Sequence, residues 1–193
     1  MFKHAKRKVA KSGFTLIELM IVISIIGLIT SIAVYAYNNA RIKARDSKRV
    51  ADITQIQKAL DLYYLDYNTY PISGNCGATS PNGGWCNSVQ SLLNNHWIRN
   101  GVSINLNEFL KYDPIDPKKN TSPNWTPING GTYFYFANGY GGSGQWYMIV
   151  FGLESTNHGI DLIDGVTACN GQYFNYGNSN SDGLITIGRN CQN

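Results

Sequence analysis

The sequence predicts an α+β protein: one long N-terminal α-helix, its first half membrane-spanning, packed on a small antiparallel β-sheet. Three observations carry this. An apolar run from Phe14 to Tyr37 leads into a stretch, residues 41–67, with no Gly or Pro. All six prolines then fall between Pro71 and Pro127. Short β-branched and aromatic runs, bounded by Gly and Asn, follow only after that.

Residues 1–13 read as a leader. Lys3, Lys6, Arg7, Lys8 and Lys11 put five positive charges before Gly13. Without them, 11 basic residues face 12 acidic ones, so the chain's +4 belongs to its N-terminus. Such a segment stays on the cytoplasmic side of a membrane, and nucleic acid is not indicated as a partner. No Ala-x-Ala-like cleavage site follows the apolar run. The order therefore differs from an ordinary secretory signal.

Residues 14–37 form the spanning segment. Their 24 residues make about 36 Å of helix at ~1.5 Å per residue, against roughly 30 Å of hydrocarbon. Glu18, the fifth residue from Phe14, is the exception inside the run. A carboxylate there costs free energy and marks a functional position by default. A cut after Gly13 would give Phe14 an α-amino group about one helical turn away. Without the cut, no residue from Phe14 to Asn39 offers Glu18 an obvious partner.

Residues 38–69 continue the helix into water. Ile53, Ile56, Leu60, Tyr63 and Tyr67 recur at spacings of 3, 4, 3 and 4, one apolar stripe for the chain's own domain. Arg41, Lys43, Arg45, Lys48 and Arg49 read either as a solvated face or as a contact with lipid headgroups or a neighbouring subunit. Pro71 disfavours helix at Tyr70.

Residues 70–193 form the outer domain. Loops dominate to about residue 130, with short helices expected at 87–96 and 105–112. Strands are expected at 132–137, 145–153 and 184–187, the first two joined by a turn at Asn138-Gly139 and Gly141-Gly142. The sheet's buried face should cover the helix stripe. Cys76, Cys86, Cys169 and Cys191 have no CxxC spacing and no histidine at finger-like distance, so two disulfides explain them better than a metal. Four cysteines allow three pairings; short local loops favour Cys76–Cys86 and Cys169–Cys191. Asp161, Asp164 and Asp182 are weak calcium candidates whose spacing fits no fixed loop. No cofactor is expected.

The residues KSGFTLIELMIVISIIGLI resemble the N-terminus of type IV prepilins and type II secretion pseudopilins, and ARDSKRVADITQIQKALDLYYLDYNTYP resembles the segment that follows. The resemblance implies a pilin-like fold and cleavage between Gly13 and Phe14 by a prepilin peptidase, with methylation of Phe14. It further implies a homo-oligomeric helical filament assembled through Phe14, Glu18 and Gly27. Glu18 would pair with a neighbour's Phe14 amine. Membrane lipid before assembly and an inner-membrane assembly platform are the other implied partners. A departure is Tyr35, where many pilins have proline. The head domain would lie outside a single-pass cytoplasmic membrane anchor, then in an extracellular pilus or periplasmic pseudopilus.

No G-x-S-x-G, H-E-x-x-H, P-loop or dinucleotide fingerprint occurs, and histidines are confined to His4, His96 and His158. An enzyme is not expected. A pilus subunit leads, with a secretion pseudopilin as the alternative and a monomeric anchored domain last.

Overall fold

The computed structural model describes residues 13–73, 84–88, 106, 108–111, 114–118, 133–155, 165–176 and 183–191. The chain divides into two compact units, 1–41 and 42–193. One helix, α1 (Leu16–Tyr67), begins in the first and ends in the second.

In the first unit every described residue is exposed. The side chains Leu16 to Tyr37 present apolar surface on all sides, and the helix is long and apolar enough to cross a membrane. A helix apolar all round must be covered by lipid or protein. Its two serine hydroxyls are satisfied internally: Ser24 Oγ donates to Met20 O at 2.8 Å and Ser31 Oγ to Leu28 O at 2.7 Å.

In the second unit α1 lies against a sheet. The sheet holds β1 (Cys86–Asn87), β2 (Phe134–Phe136), β3 (Tyr147–Gly152) and β6 (Leu184–Arg189) in the order β1-β2-β3-β6, all antiparallel. Two-residue strands β4 (Val166–Thr167) and β5 (Tyr173–Phe174) pair separately. Alternation along each strand splits the side chains. Tyr135, Tyr147, Ile149, Phe151, Ile185 and Ile187 pack on Ile53, Ile56, Ala59 and Leu60 of α1. On the opposite face, Phe136, Trp146 and Met148 pack on Val166 and Ala168, and Phe134, Val150 and Leu184 form a neighbouring cluster.

Several expectations need correction. The sheet is buried on both faces, not one; the continuous apolar run Trp146–Phe151 is the pattern of a doubly covered strand. The expected helix from 87 begins instead as strand at Asn87, hydrogen-bonded to β2, and residues 89–96 lie outside the described ones. Around 105–112 the described residues make a single turn, with Phe109 N and Leu110 N both donating to Leu106 O.

The helix ends at Tyr67, the last residue of the Gly- and Pro-free stretch 41–67. Asn68 takes a left-handed conformation at φ 51° while its N–H still donates to Tyr64 O at 2.8 Å. Asn tolerates that cap better than most residues. Tyr70 N then donates to Gly144 O at 2.7 Å. Gly144 sits at φ 74°, and a Cβ there would strike the Thr69 hydroxyl and the Tyr70 carbonyl. The β2–β3 turn thus grips the end of α1 through a residue that must be glycine.

The stripe predicted from Ile53 is buried at Ile53, Ile56 and Leu60, half-buried at Tyr63 and exposed at Tyr67. Replacing Ile56 with Ala should therefore cost about 2–5 kcal/mol. Leu65→Ala, on the open side of α1, should stay within about 0.5 kcal/mol. Denaturant unfolding of the detergent-solubilised chain, followed through buried Trp146, measures both. Equal losses would contradict this placement of the core.

Candidate functional site

At the start of α1, Thr15 and Glu18 close a reciprocal cap. The Thr15 N–H and Oγ1 donate to Glu18 Oε2 at 2.8 and 2.7 Å, and the Glu18 N–H donates back to Thr15 Oγ1 at 3.3 Å. This is the capping box that the pattern Thr-x-x-Glu encodes. It corrects the expectation that Glu18 has no partner in the uncut chain. The signal was in the sequence, three residues before the carboxylate, and a helix-start reading would have found it. Glu18 at this position also complements the positive end of the helix dipole.

Phe14 is 90% exposed, and a Cβ on Gly13 or Gly27 would meet nothing within 4 Å. The bond between residues 13 and 14 is therefore reachable, and the surface around Gly27 is open to a close neighbour.

The second cluster lies in the head, where α1 is charged and buried. Asp46, Arg49 and Asp52 extend the stripe toward the N-terminus at the same helical spacing, all at 5% exposure or less. Arg49 donates from Nε and Nη2 to both oxygens of Asp116 at 2.9 Å, and from Nη1 to Asp46 at 2.8 Å. The same Nη1 lies 2.9 Å from Glu154. Arg45 grips Glu154 through two bonds of 2.8 and 2.6 Å. Asp46 receives the backbone N–H groups of Glu154 and Ser155, each at 2.9 Å. Tyr133 OH donates to Asp52 at 2.9 Å.

These contacts correct the reading of residues 41–49 as one basic face. Arg45 and Arg49 are spent inside the domain, while Arg41, Lys43 and Lys48 remain exposed, Arg41 over the Tyr37 ring at 5.5 Å. What the sequence reading missed was the acid at the same spacing. Asp46, Arg49 and Ile53 are i, i+3 and i+7, so the stripe was visible once charge was allowed in it.

Electrostatics follow the geometry. Burial works against the Arg49 charge, yet Asp116, Glu154 and Asp46 more than offset this and raise its pKa. Hydrogen bonds from Arg45, opposed by burial and helped by Arg49, lower the Glu154 carboxyl to about 2. For Asp46 burial acts upward, but the N–H groups of Glu154 and Ser155 prevail and lower it.

Cys169 and Cys191 are bridged, with Cα atoms 4.9 Å apart. Cys191 N also donates to Thr167 O at 3.0 Å, so the bridge joins the chain just beyond β6 to the β4–β5 pair. Cys86 is in a disulfide as well. Cys76 and the calcium candidates Asp161, Asp164 and Asp182 lie outside the described residues. Among the described residues no cluster of three or more potential metal-binding side chains occurs.

Folded-state values of Glu154 and Asp46 lie below their ordinary ones. Glu154 contributes stability that is complete above about pH 4.5 and lost as pH falls toward 2, and Asp46 acts in the same direction as the acid range is entered. The head's melting temperature should drop over that interval, and Glu154→Gln should flatten the drop. A melting profile unchanged by that substitution would remove Glu154 from the network's energetics.

Comparison with known proteins addresses the N-terminal third. The prokaryotic N-terminal methylation motif matches residues 9–34. A type II secretion system core protein G of Aeromonas hydrophila is 45% identical over 65 residues, 34% of this chain and 46% of that protein. One of Pectobacterium carotovorum is 46% identical over 59 residues, 31% of this chain and 38% of the relative. A type IV major pilin protein of Neisseria gonorrhoeae is 37% identical over 71 residues, 37% of this chain and 33% of that pilin. The matched stretch thus spans less than half the length of each relative. No solved structure matches the chain. Over its N-terminal third the chain is thus similar to type II secretion core protein G and to a type IV pilin, and its long helix with small antiparallel sheets is consistent with an α+β, pilin-like fold.

Proposed function

We propose that the chain is the structural subunit of a type IV pilus-like filament, not an enzyme. It is made as a precursor, cut between Gly13 and Phe14 by a prepilin peptidase and methylated on Phe14. It is held in the membrane by residues 14–37 before polymerising through α1. Adhesion, motility or DNA uptake would then be properties of the fibre, and an inner-membrane platform would drive its growth. The observation that carries this reading is the exposed, all-round apolar helix with one carboxylate held at its first turn.

Burial governs whether such helices assemble. A span surrounded by lipid gains nothing by leaving it unless neighbouring spans replace the lipid contacts. Glu18 supplies the directional part. In the single chain it is satisfied by Thr15. After cleavage, a neighbour's Phe14 amine would be a charged donor, and a charge-assisted bond is the stronger one. Gly27, open on its surface, lets a neighbouring helix approach closely.

The secretion pseudopilus is the second reading, favoured by the resemblance of residues in this third to secretion core protein G. The bridged C-terminal strand and its β4–β5 lobe favour the pilus, because they add a stapled outer surface to the head. Mass spectrometry of material sheared from cells separates the two. A pilus subunit should dominate that fraction and begin at methylated Phe14. A pseudopilin should begin at the same residue but remain with the membranes. A chain still carrying residues 1–13 in both fractions would remove the processing reading.

Two substitutions test the parts. Gly13→Leu should block processing, because the peptidase must fit a small residue before the cut; a mature-length band would refute this. Glu18→Ala should leave processing largely intact while reducing filament yield. Normal filament yield from that variant would remove the pairing argument.

A further inference from the structure

We propose that Asn138 is a self-modification site: the Gly139 nitrogen closes on the Asn138 carboxamide, assisted by the Ser143 hydroxyl, and the carboxamide becomes a carboxylate. All three residues lie in the β2–β3 turn, where Asn138 is half-buried and Gly139 and Ser143 are exposed. Gly139 N donates to Ser143 Oγ at 3.0 Å, and Ser143 Oγ donates to Asn138 Oδ1 at 3.1 Å. One hydroxyl thus meets both the proton that the nucleophile must lose and the oxygen that must take up charge. The same two bonds turn the carboxamide to the side of the chain that carries the Gly139 N–H. Opposite, it is confined by Gly84, where a Cβ would come 3.2 Å from Asn138 Nδ2. Gly139 has no side chain to obstruct the closure, and a Cβ built on it would meet nothing within 4 Å, so water reaches the turn.

The step needs only groups already in place. The Gly139 nitrogen bonds to Asn138 Cγ while its proton passes to Ser143 Oγ and the Ser143 proton passes to Oδ1. The Cγ–Nδ2 bond of this neutral adduct then breaks as the Oδ1 proton moves to the leaving nitrogen, and ammonia departs from a cyclic imide. Water opens the ring at either carbonyl. Opening at Cγ gives aspartate; opening at the main-chain carbonyl gives isoaspartate, with the backbone routed through Cγ. The balance is a water consumed and an ammonia released, with no oxidant, reductant or further reactant. Positioning supplies the advantage, because nucleophile, carbonyl and proton carrier belong to one turn.

A second Asn-Gly pair in the head gives the contrast. Gly171 N donates to Ala168 O at 3.0 Å, and Asn170 Oδ1 accepts from Gln172 N at 3.0 Å. Nucleophile and carbonyl are held there by separate backbone groups, and among the described residues no hydroxyl joins them.

The product matters because of what the turn holds. Ala137 O accepts from Gly144 N at 3.4 Å, and Gly144 O accepts from Tyr70 N beyond the end of α1. Isoaspartate lengthens the chain between Ala137 and Gly139 by a methylene. Gly144 then loses its register against Ala137, and the grip on α1 weakens. In the filament reading a subunit outside the cell is not remade in place, so the change accumulates with its age. The chemistry itself does not rest on that reading.

Peptide mass spectrometry of the purified full chain, aged in detergent at mildly alkaline pH, tests the assignment. Asn138 should convert at least about tenfold faster than Asn170, giving paired aspartate and isoaspartate peptides. Ser143→Ala should slow Asn138 about tenfold and leave Asn170 unchanged, while Ser143→Thr, which keeps the hydroxyl, should keep the rate. Hydrogen exchange at the Tyr70 N–H should quicken in the isoaspartate-containing chain. Equal wild-type rates at the two asparagines would overturn the assignment, as would an Asn138 rate that Ser143→Ala alone leaves unchanged or raises. A joint rise at both asparagines in that variant marks a loosened head, and the wild-type ratio then decides.

Discussion

Arg49 sets the arrangement of the head. A guanidinium at 2% exposure would be prohibitively costly alone, so its burial obliges carboxylates to converge on it from separate parts of the chain. Asp116 comes from the chain between β1 and β2, Glu154 from just after β3, and Asp46 from one turn back on α1. Each is then tied further. The N–H of Lys118 donates to Asp116, and the N–H groups of Glu154 and Ser155 donate to Asp46. Removing one member would strand the rest, which is why such a network specifies a register more than it adds stability. The apolar packing of Ile53, Ile56 and Leu60 could tolerate sliding along the sheet. The fork of Arg49 on Asp116 cannot.

The long helix and its two regimes were legible because periodicity and composition both report burial, and α1 has plenty of residues to average over. The three longer strands were legible for the same reason at their own period. Strands β1, β4 and β5 were not, since two residues carry no alternation; β1 adds an edge to the sheet, and β4–β5 covers its second face. The end of α1 hinged on Asn68 accepting a left-handed conformation, a choice that depends on Gly144 arriving from β2–β3. The Gly- and Pro-free stretch 41–67 marked where the helix ends, but not the Gly144 contact that holds the end in place. The charged core failed for a different reason. Residues 41–49 looked like a basic surface because cations were counted without their helical phase, and phase places Arg49 with Ile53 while Lys48 faces out.

Glu18 shows how one carboxylate can be both tolerated and available. The capping box supplies it with two donors from Thr15, so the uncut or unpaired chain carries no orphaned charge at the start of an apolar helix. Those donors are neutral, and the site is exposed. A cationic amine arriving from outside would compete favourably, because charge-assisted bonds exceed neutral ones. In the filament reading the residue is thus held in place rather than spent. The family resemblance supplied its role, and the geometry adds the means by which it waits.

The span itself supplies little direction. From Leu16 to Tyr37 the surface is apolar on every side, and dispersion contacts between such helices change little with rotation or small slides. Glu18 can fix a longitudinal step between neighbours, since only one position brings a carboxylate to an amine. It cannot fix the angle at which heads follow one another, because a single bond leaves rotation free. That angle must come from surfaces carrying chemical identity on more than one side, and those lie in the head.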